Sequence, residues 1–378
     1  MGCAGIFFGW IIPFIILTAA TFVGWLSTEP QAFSQLFATI LPLQQLELPP
    51  LLFGHGKMKG VPTVPDDMKP EPRPENELFL TLPGGYQMPQ SGIGMCCRAT
   101  AYDDVLVRRT ILWYLLLGGR QIDTAQLYLN HRAIGLGIQD AMERGVPRSE
   151  IFVTTKVAPA YFGYNTTMAT VPTFLEELRL EHIDLVLMHM PSFPLIRNEC
   201  SRSGTSNQKC RQETWKALSE HRDKGLVRNI GVSNFAPHHM KDIQELGLAP
   251  IANNQFLWNP FASPLQHEIL EYCQAHGIAT TSYFSLGGTA MKNHAAEIET
   301  LQAMATKYGV SLYKLLLRWS VQQGFAVIPG TGKPPHMKDN LSVYSFEISA
   351  EDMEIIGHLK DSTVAPTFQA MEVGKMFD

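Results

Sequence analysis

From residue 78 onward the chain alternates between short apolar runs and longer amphipathic stretches, and this pattern limits the folds open to it more than any other feature. Strand patterns fall at 93–94, 121–123, 151–155, 183–188, 227–232, 251–255, 279–283 and 326–328. Helical patterns separate them at 103–117, 133–144, 171–180, 213–224, 237–246, 265–276, and 295–308 with 312–322. Strands joined through helices lie parallel, because a parallel pair needs a long crossover. About eight such units predict a (β/α)₈ TIM barrel of roughly 250 residues. Before them, residues 78–82 and 86–89 flank Pro83-Gly84-Gly85, which reads as an N-terminal β-hairpin. No strand runs into the G-x-G-x-x-G turn of a doubly wound dinucleotide fold, so an open sheet fits less well. The fold class is therefore α/β, a barrel over residues 77–378 with a C-terminal tail.

The first residues differ in kind. No charged side chain occurs before Glu29, and residues 6–17 are almost wholly apolar. A bilayer is crossed by roughly 20 apolar residues, so residues 1–26 are long enough. Trp10 and Trp25 would lie toward the two interfaces, and Pro13 is tolerable in a membrane helix. The expectation is a single-pass N-terminal membrane anchor, with the endomembrane system favoured. The alternative is a targeting segment cleaved on entry to an organelle, although the usual basic flank is missing. Residues 27–76 repeat proline and read as a linker.

The mild net charge of −5 and the lack of any basic stripe argue against a nucleic-acid partner. Cys200 and Cys210 stand apart in a polar stretch, where either a disulfide or two free thiols would fit.

Barrel active sites lie at the C-terminal ends of the strands, and there the sequence delivers four chemical groups in order. They are Asp123 and Tyr128 in Asp-Thr-Ala-x-x-Tyr, Lys156 after Val-Thr-Thr, and His189 after Leu-Val-Leu-Met. Together they can reduce a carbonyl. A phenol donates a proton, an ammonium lowers the phenol's pKa, a carboxylate holds the ammonium, and an imidazole donates a hydrogen bond to the carbonyl oxygen. Alone, each is ordinary: a histidine after an apolar strand is usually a core residue. Order and placement together make the reading. The set calls for no metal.

The motifs Gly85-Tyr-Gln-Met-Pro89, Asp123-Thr-Ala125, Phe152-Val-Thr-Thr-Lys156, Gly231-Val-Ser-Asn-Phe235, Asn254-Gln255 and Ser349-Ala-Glu-Asp-Met353 resemble those of the aldo-keto reductase family. The resemblance extends over roughly residues 80–365. It implies reduction of aldehydes or ketones by NADPH, with NADH possible, in a monomeric barrel that takes a small carbonyl substrate. It places the catalytic set on Asp123, Tyr128, Lys156 and His189. It sets Ser233, Asn234 and Gln255 at the nicotinamide carboxamide and Tyr283 against the nicotinamide ring. Leu286, Thr331, Lys333, His336 and Asn340 are placed along the rest of the cofactor.

Departures from the family pattern are informative. Met95 and Cys96 stand where a Thr and a Trp are common, Ala158 replaces an aromatic, and Met190 replaces a Trp. Three bulky walls of the usual pocket are thus missing, with Tyr161 and Phe162 the candidates to refill it. Toward the cofactor's phosphates, Gly330 stands for a Lys and His336 for an Arg, leaving Lys333 or Lys338 and a helix N-terminus behind Pro334 to supply charge. These losses keep a second reading open, a cofactor-binding regulatory protein of low turnover. A hydrolase built on Cys96 or Cys97 is weaker, because no base is placed to activate either thiol.

Overall fold

The computed structural model describes residues 60–192, 198–287 and 295–359. A two-stranded antiparallel hairpin, β1 (Phe79–Thr81) and β2 (Gln87–Pro89), comes first. Eight parallel strands follow: β3 (Gly92–Gly94), β4 (Gln121–Asp123), β5 (Phe152–Val157), β6 (Ile183–Met188), β7 (Val227–Ser233), β8 (Asn253–Leu257), β9 (Ala279–Tyr283) and β10 (Phe325–Val327). They pair in sequence order. The ring closes through a parallel bridge between Ser91 and Val327 and a hydrogen bond from Gly94 N to Pro329 O, 3.4 Å. Gly94 is needed at this seam, since a Cβ there would lie 2.5 Å from Ile328 O.

The helices between the strands are α1 (Asp104–Leu116), α2 (His131–Glu143), α3 (Tyr164–Leu178), α4 (Glu199–Arg202), α5 (Asn207–Asp223), α6 (Pro237–Gln244), α7 (Pro264–Ala275), α8 (Ala295–Tyr308) and α9 (Leu312–Gln322). After β10 come α10 (Pro334–Leu341) and α11 (Ala350–His358). Several begin where side chains cap the free amides: Asp103 accepts from Leu106 N, Ser206 from Lys209 N, Ser311 from Lys314 N and Ser349 from Asp352 N.

Two-residue periodicity places the core. On β6, Leu185 and Leu187 face the barrel interior beside Leu82 and Met88 of the hairpin, while Val186 and Met188 face the helix layer. The hairpin therefore plugs the N-terminal end of the barrel and leaves the C-terminal end for chemistry. Between β8, β10 and α9, Trp258 stacks on Phe325 at 5.0 Å and on Trp319 at 6.0 Å, fixing that side of the wall.

Irregular chain from Gly60 to Asn76 lies along the barrel. Val61 and Val64 are buried. The backbone is held by Trp113 Nε1 donating to Pro62 O at 2.8 Å, Arg144 to Pro65 O at 2.7 Å, and Glu71 N to Leu116 O at 2.7 Å. A proline-rich segment keeps its carbonyls unpaired, and here neighbouring donors take them up.

The membrane expectation requires correction. No helix among the described residues is long and apolar enough to cross a membrane. Among them the longest, Asn207–Asp223, has 17 residues and carries Lys, Arg and Glu, as suits a helix with one face on a barrel. Residues 1–26, on which the expected anchor falls, lie outside the described residues. The single-pass membrane localisation and the membrane partner are accordingly withdrawn.

Candidate active site

Parallel register carries the four groups to one rim. Asp123 ends β4 and pairs in register with Thr154, while Lys156 lies on β5 opposite Leu187 of β6. His189 follows β6 directly, its amide bonded to Val157 O at 3.0 Å. Tyr128 sits on a 3₁₀ turn after β4, and Gln126 of that turn accepts from Ala158 N at 3.0 Å, tying the turn to the end of β5.

The ammonium of Lys156 donates to Asp123 Oδ1 at 2.7 Å and to Thr124 O at 2.9 Å, and both side chains of the pair are all but fully buried. Gln255 Nε2 donates to the other carboxylate oxygen at 2.8 Å. The remaining face of the ammonium looks toward Tyr128, 5.2 Å from its ring centroid, and Tyr128 meets the His189 ring edge-on at 5.7 Å. The structure thus brings Asp123, Tyr128, Lys156 and His189 together.

Their charge states differ in one respect from the sequence expectation. Burial pushes the Tyr128 phenol well above its usual value, and the Asp123 charge adds to this. Lys156, 5.2 Å from the ring centroid, does not outweigh the burial. The phenol is therefore protonated at neutral pH, the state a proton donor needs. Burial, followed by the Lys156 charge, lowers the His189 imidazole to about 3, so it is neutral and can donate through only one nitrogen. Its Nδ1 is buried without a partner. Burial also lowers the Lys156 pKa, and Asp123 opposes that shift.

Beside this cluster lies a polar cradle. Asn234, in a left-handed conformation (φ 63°), donates to His189 O and to Ser233 Oγ, both at 3.1 Å. Tyr283 OH donates to Asn234 Oδ1 at 2.6 Å, and Ser233 Oγ to Gln255 O at 2.9 Å. Ser233, Asn234, Gln255 and Tyr283 thus share one wall, their polar atoms bonded to one another and to Asp123. A carboxamide, with two donors and an acceptor, matches that set in kind, and a flat ring matches the Tyr283 face. The residues present fit a nicotinamide.

Further along, the expected contacts are dispersed. Leu286 is half-buried against the core. Thr331 is buried and accepts from Lys333 N at 3.1 Å. Lys333 and His336 are exposed, Lys338 pairs with Glu71 at 2.9 Å, and Asn340 is half-buried, its carbonyl facing Ser91 Oγ. Of the residues proposed to refill the pocket, Phe162 is buried in the core and Tyr161 is exposed. Met95 is also a core residue, and Cys96 and Cys97 are paired with each other.

Two residues of this region, Arg98 and Asn130, escaped the sequence reading. Arg98 places its guanidinium against Gly330, 2.7 Å from where a Cβ would stand. Thr124 Oγ1 donates to Asn130 Oδ1 at 2.7 Å, and Asn130 Nδ2 donates to Met95 O at 2.8 Å and Ala101 O at 3.2 Å. The only available signal was an arginine and an asparagine in loops next to motif residues. A recess of about 220 Å³ between the hairpin and the N-terminal ends of β5–β7, lined by Arg73, Tyr86, Asp184 and Arg228, lies at the opposite end of the barrel.

The parallel barrel and this rim define a class, and the comparisons give the family: the Aldo/keto reductase family profile matches residues 90–361, and the chain belongs to that family. It is 34% identical over 291 residues to 9,11-endoperoxide prostaglandin H2 reductase of Trypanosoma cruzi, covering 76% of this chain and 93% of that one. It is 33% identical over 289 residues to glyoxal reductase of Bacillus subtilis, covering 76% and 95%. Among solved structures, a Bombyx mori aldo-keto reductase in complex with NADP matches with a TM-score of 0.68 at 26% identity, over 80% of this chain and 98% of that one. The chain is an oxidoreductase of the NADP(H)-using kind.

Proposed function

We propose that this chain reduces the carbonyl of small aldehydes and ketones to the alcohol, with Tyr128 as the proton donor. The observation that carries this reading is the buried Lys156–Asp123 pair with the Tyr128 ring and, through it, the His189 ring gathered over its free face. Bound NADPH supplies the hydride. Ser233, Asn234 and Gln255 orient its carboxamide, and Tyr283 backs the ring.

Tyr128, protonated by virtue of its burial, gives its proton to the carbonyl oxygen as charge develops there. Neutral His189 donates a hydrogen bond to the same oxygen and does not compete for the proton. Once Tyr128 becomes a phenolate, Lys156 lies 5.2 Å from its ring and stabilises the new charge more than it could the neutral phenol. Asp123 and Thr124 O hold Lys156 in that place. Stabilising the phenolate offsets part of the rise that burial imposes on the phenol, so Lys156 eases the proton's departure while Tyr128 stays protonated at rest.

The relatives' names suggest glyoxal as a first substrate, tested beside an aromatic aldehyde and a bulky ketone. Tyr128→Phe should lower turnover by about 10²–10⁴-fold, the usual worth of general acid catalysis, while leaving cofactor affinity within about threefold. Cofactor absorbance measures the first and fluorescence titration the second. Undiminished turnover in Tyr128→Phe would remove the mechanism. No NADPH oxidation by the wild type with any of the panel would favour the regulatory reading.

A further inference from the structure

Arg98 lies in the loop after β3, and its surroundings are unusual for a cation. Nε donates to Thr100 Oγ1 at 3.1 Å and Nη1 to Gly94 O. Nη2 reaches only the thioether of Met95 at 3.2 Å, a weak acceptor. No carboxylate among the described residues pairs with it. Burial lowers its pKa to about 10, which leaves it charged at neutral pH. A sheltered guanidinium without a counter-ion is an anion site waiting for its anion.

Its position is fixed from both ends. Asn130 Nδ2 holds Met95 O and Ala101 O, which bracket the loop. The side chain reaches across the β3–β10 seam to Gly330, where a Cβ would stand 2.7 Å from Nη1. Gly330 is the position at which the family resemblance leads one to expect a lysine. The glycine clears the space that Arg98 occupies. Thr331, buried, and the free amides that open α10 follow at once. Loops after the last strands of a TIM barrel, with the N-terminus of a short extra helix, commonly hold phosphate.

We propose that Arg98 anchors a phosphate group of the dinucleotide cofactor, supplying from the β3 side of the seam the cation that Gly330 lacks on the β10 side. The charge has moved between two neighbouring loops and has kept its place in space. Arg is suited to this because its planar fork can meet two phosphate oxygens at once. Both phosphate positions of the cofactor, the 2′-phosphate and the pyrophosphate, share this chemistry, and binding to NADP⁺ and NAD⁺ separates them.

The test is equilibrium binding, followed by intrinsic fluorescence, of NADP⁺ and NAD⁺ to the full chain. Arg98→Gln keeps a donor for Gly94 O and removes the charge; Arg98→Met keeps the aliphatic stem and is the second neutral variant should the first not fold. Loss of a charge-assisted contact should weaken NADP⁺ binding about tenfold or more. Weakening confined to NADP⁺ places the guanidinium on the 2′-phosphate, and equal weakening of both places it on the pyrophosphate. Arg98→Lys should recover most of the affinity, which a merely structural role would not require. In the Arg98→Gln background, Gly330→Lys should also restore binding, because the lysine enters the vacated space. Neutral variants that fold and bind both nucleotides within about twofold of wild type would overturn the proposal. A wild-type protein that binds neither nucleotide would count against the cofactor reading itself.

Discussion

Lys156→Met keeps a side chain of similar length and deletes one charge from the centre of the barrel rim. Asp123 then retains the Gln255 amide at 2.8 Å and loses the ammonium at 2.7 Å. Its side chain is 3% exposed, so water cannot take the place of the lost partner. Thr124 O also loses its donor from Lys156. Breaking one side of a buried pair costs about 3–5 kcal/mol, chiefly because the other charge is left uncompensated. That argument has a second consequence. If the penalty lies in the stranded carboxylate, neutralising it should relieve the loss, so Lys156→Met/Asp123→Asn should be more stable than Lys156→Met alone. Urea denaturation at neutral pH, with the slope checked for constancy, gives both differences. A Lys156→Met protein within about 1 kcal/mol of wild type, or a double variant no more stable than the single, would refute the assignment of this pair as a tightly coupled buried unit.

His189 should make stability depend on pH. Its imidazole is held at about 3 in the fold against an ordinary 6.5, so the unfolded chain binds a proton first as pH falls. The stability it contributes is present above 6.5 and is lost as pH falls from 6.5 toward 3. The advantage of wild type over His189→Gln in urea should therefore shrink between pH 7 and pH 5, by up to about 1.4 kcal/mol per pH unit; an unchanged difference would contradict the assignment. Cys200, on α4, and Cys210, on α5, form a disulfide across a sequence separation of 10. Reduction, or Cys200→Ser with Cys210→Ser, should cost about 2–3 kcal/mol on the chain-entropy account, measured as a shift in urea midpoint. Gly94→Ala should lower the melting temperature, because the new methyl would press on Ile328 O at 2.5 Å; overpacking of this sort costs about 1–3 kcal/mol.

Much of the barrel was legible because strands of the right length alternate with helical stretches, and the runs 121–123 and 183–188 match β4 and β6 residue for residue. Helix starts were less so. The helical pattern read from 171, yet α3 begins at Tyr164 and carries Pro172 inside it. The helix tolerates it because its buried face, Thr167, Val171 and Phe174, packs on the barrel, and packing outweighs one lost hydrogen bond. Similarly α5 begins at Asn207, before the periodic stretch at 213, because Ser206 caps it and Cys210 ties it to α4. The four clustered side chains Asp123, Tyr128, Lys156 and His189 could be read because each sits at or just beyond the end of a strand. Arg98 could not be, since its meaning depends on β3 and β10 being neighbours, a fact of ring closure far from local sequence.

One buried chain of hydrogen bonds runs from Lys156 through Thr124 to Asn130 and on to the backbone at both ends of the Arg98 loop. It ties the Lys156–Asp123 pair to the seam beside Gly330 with polar links that bulk water does not reach. Truncating Thr124 or Asn130 would leave buried polar partners along this chain unpaired. The chain bypasses Ala158 and Met190, which follow β5 and β6. Side chains at those two positions can therefore change size without unpairing the buried links.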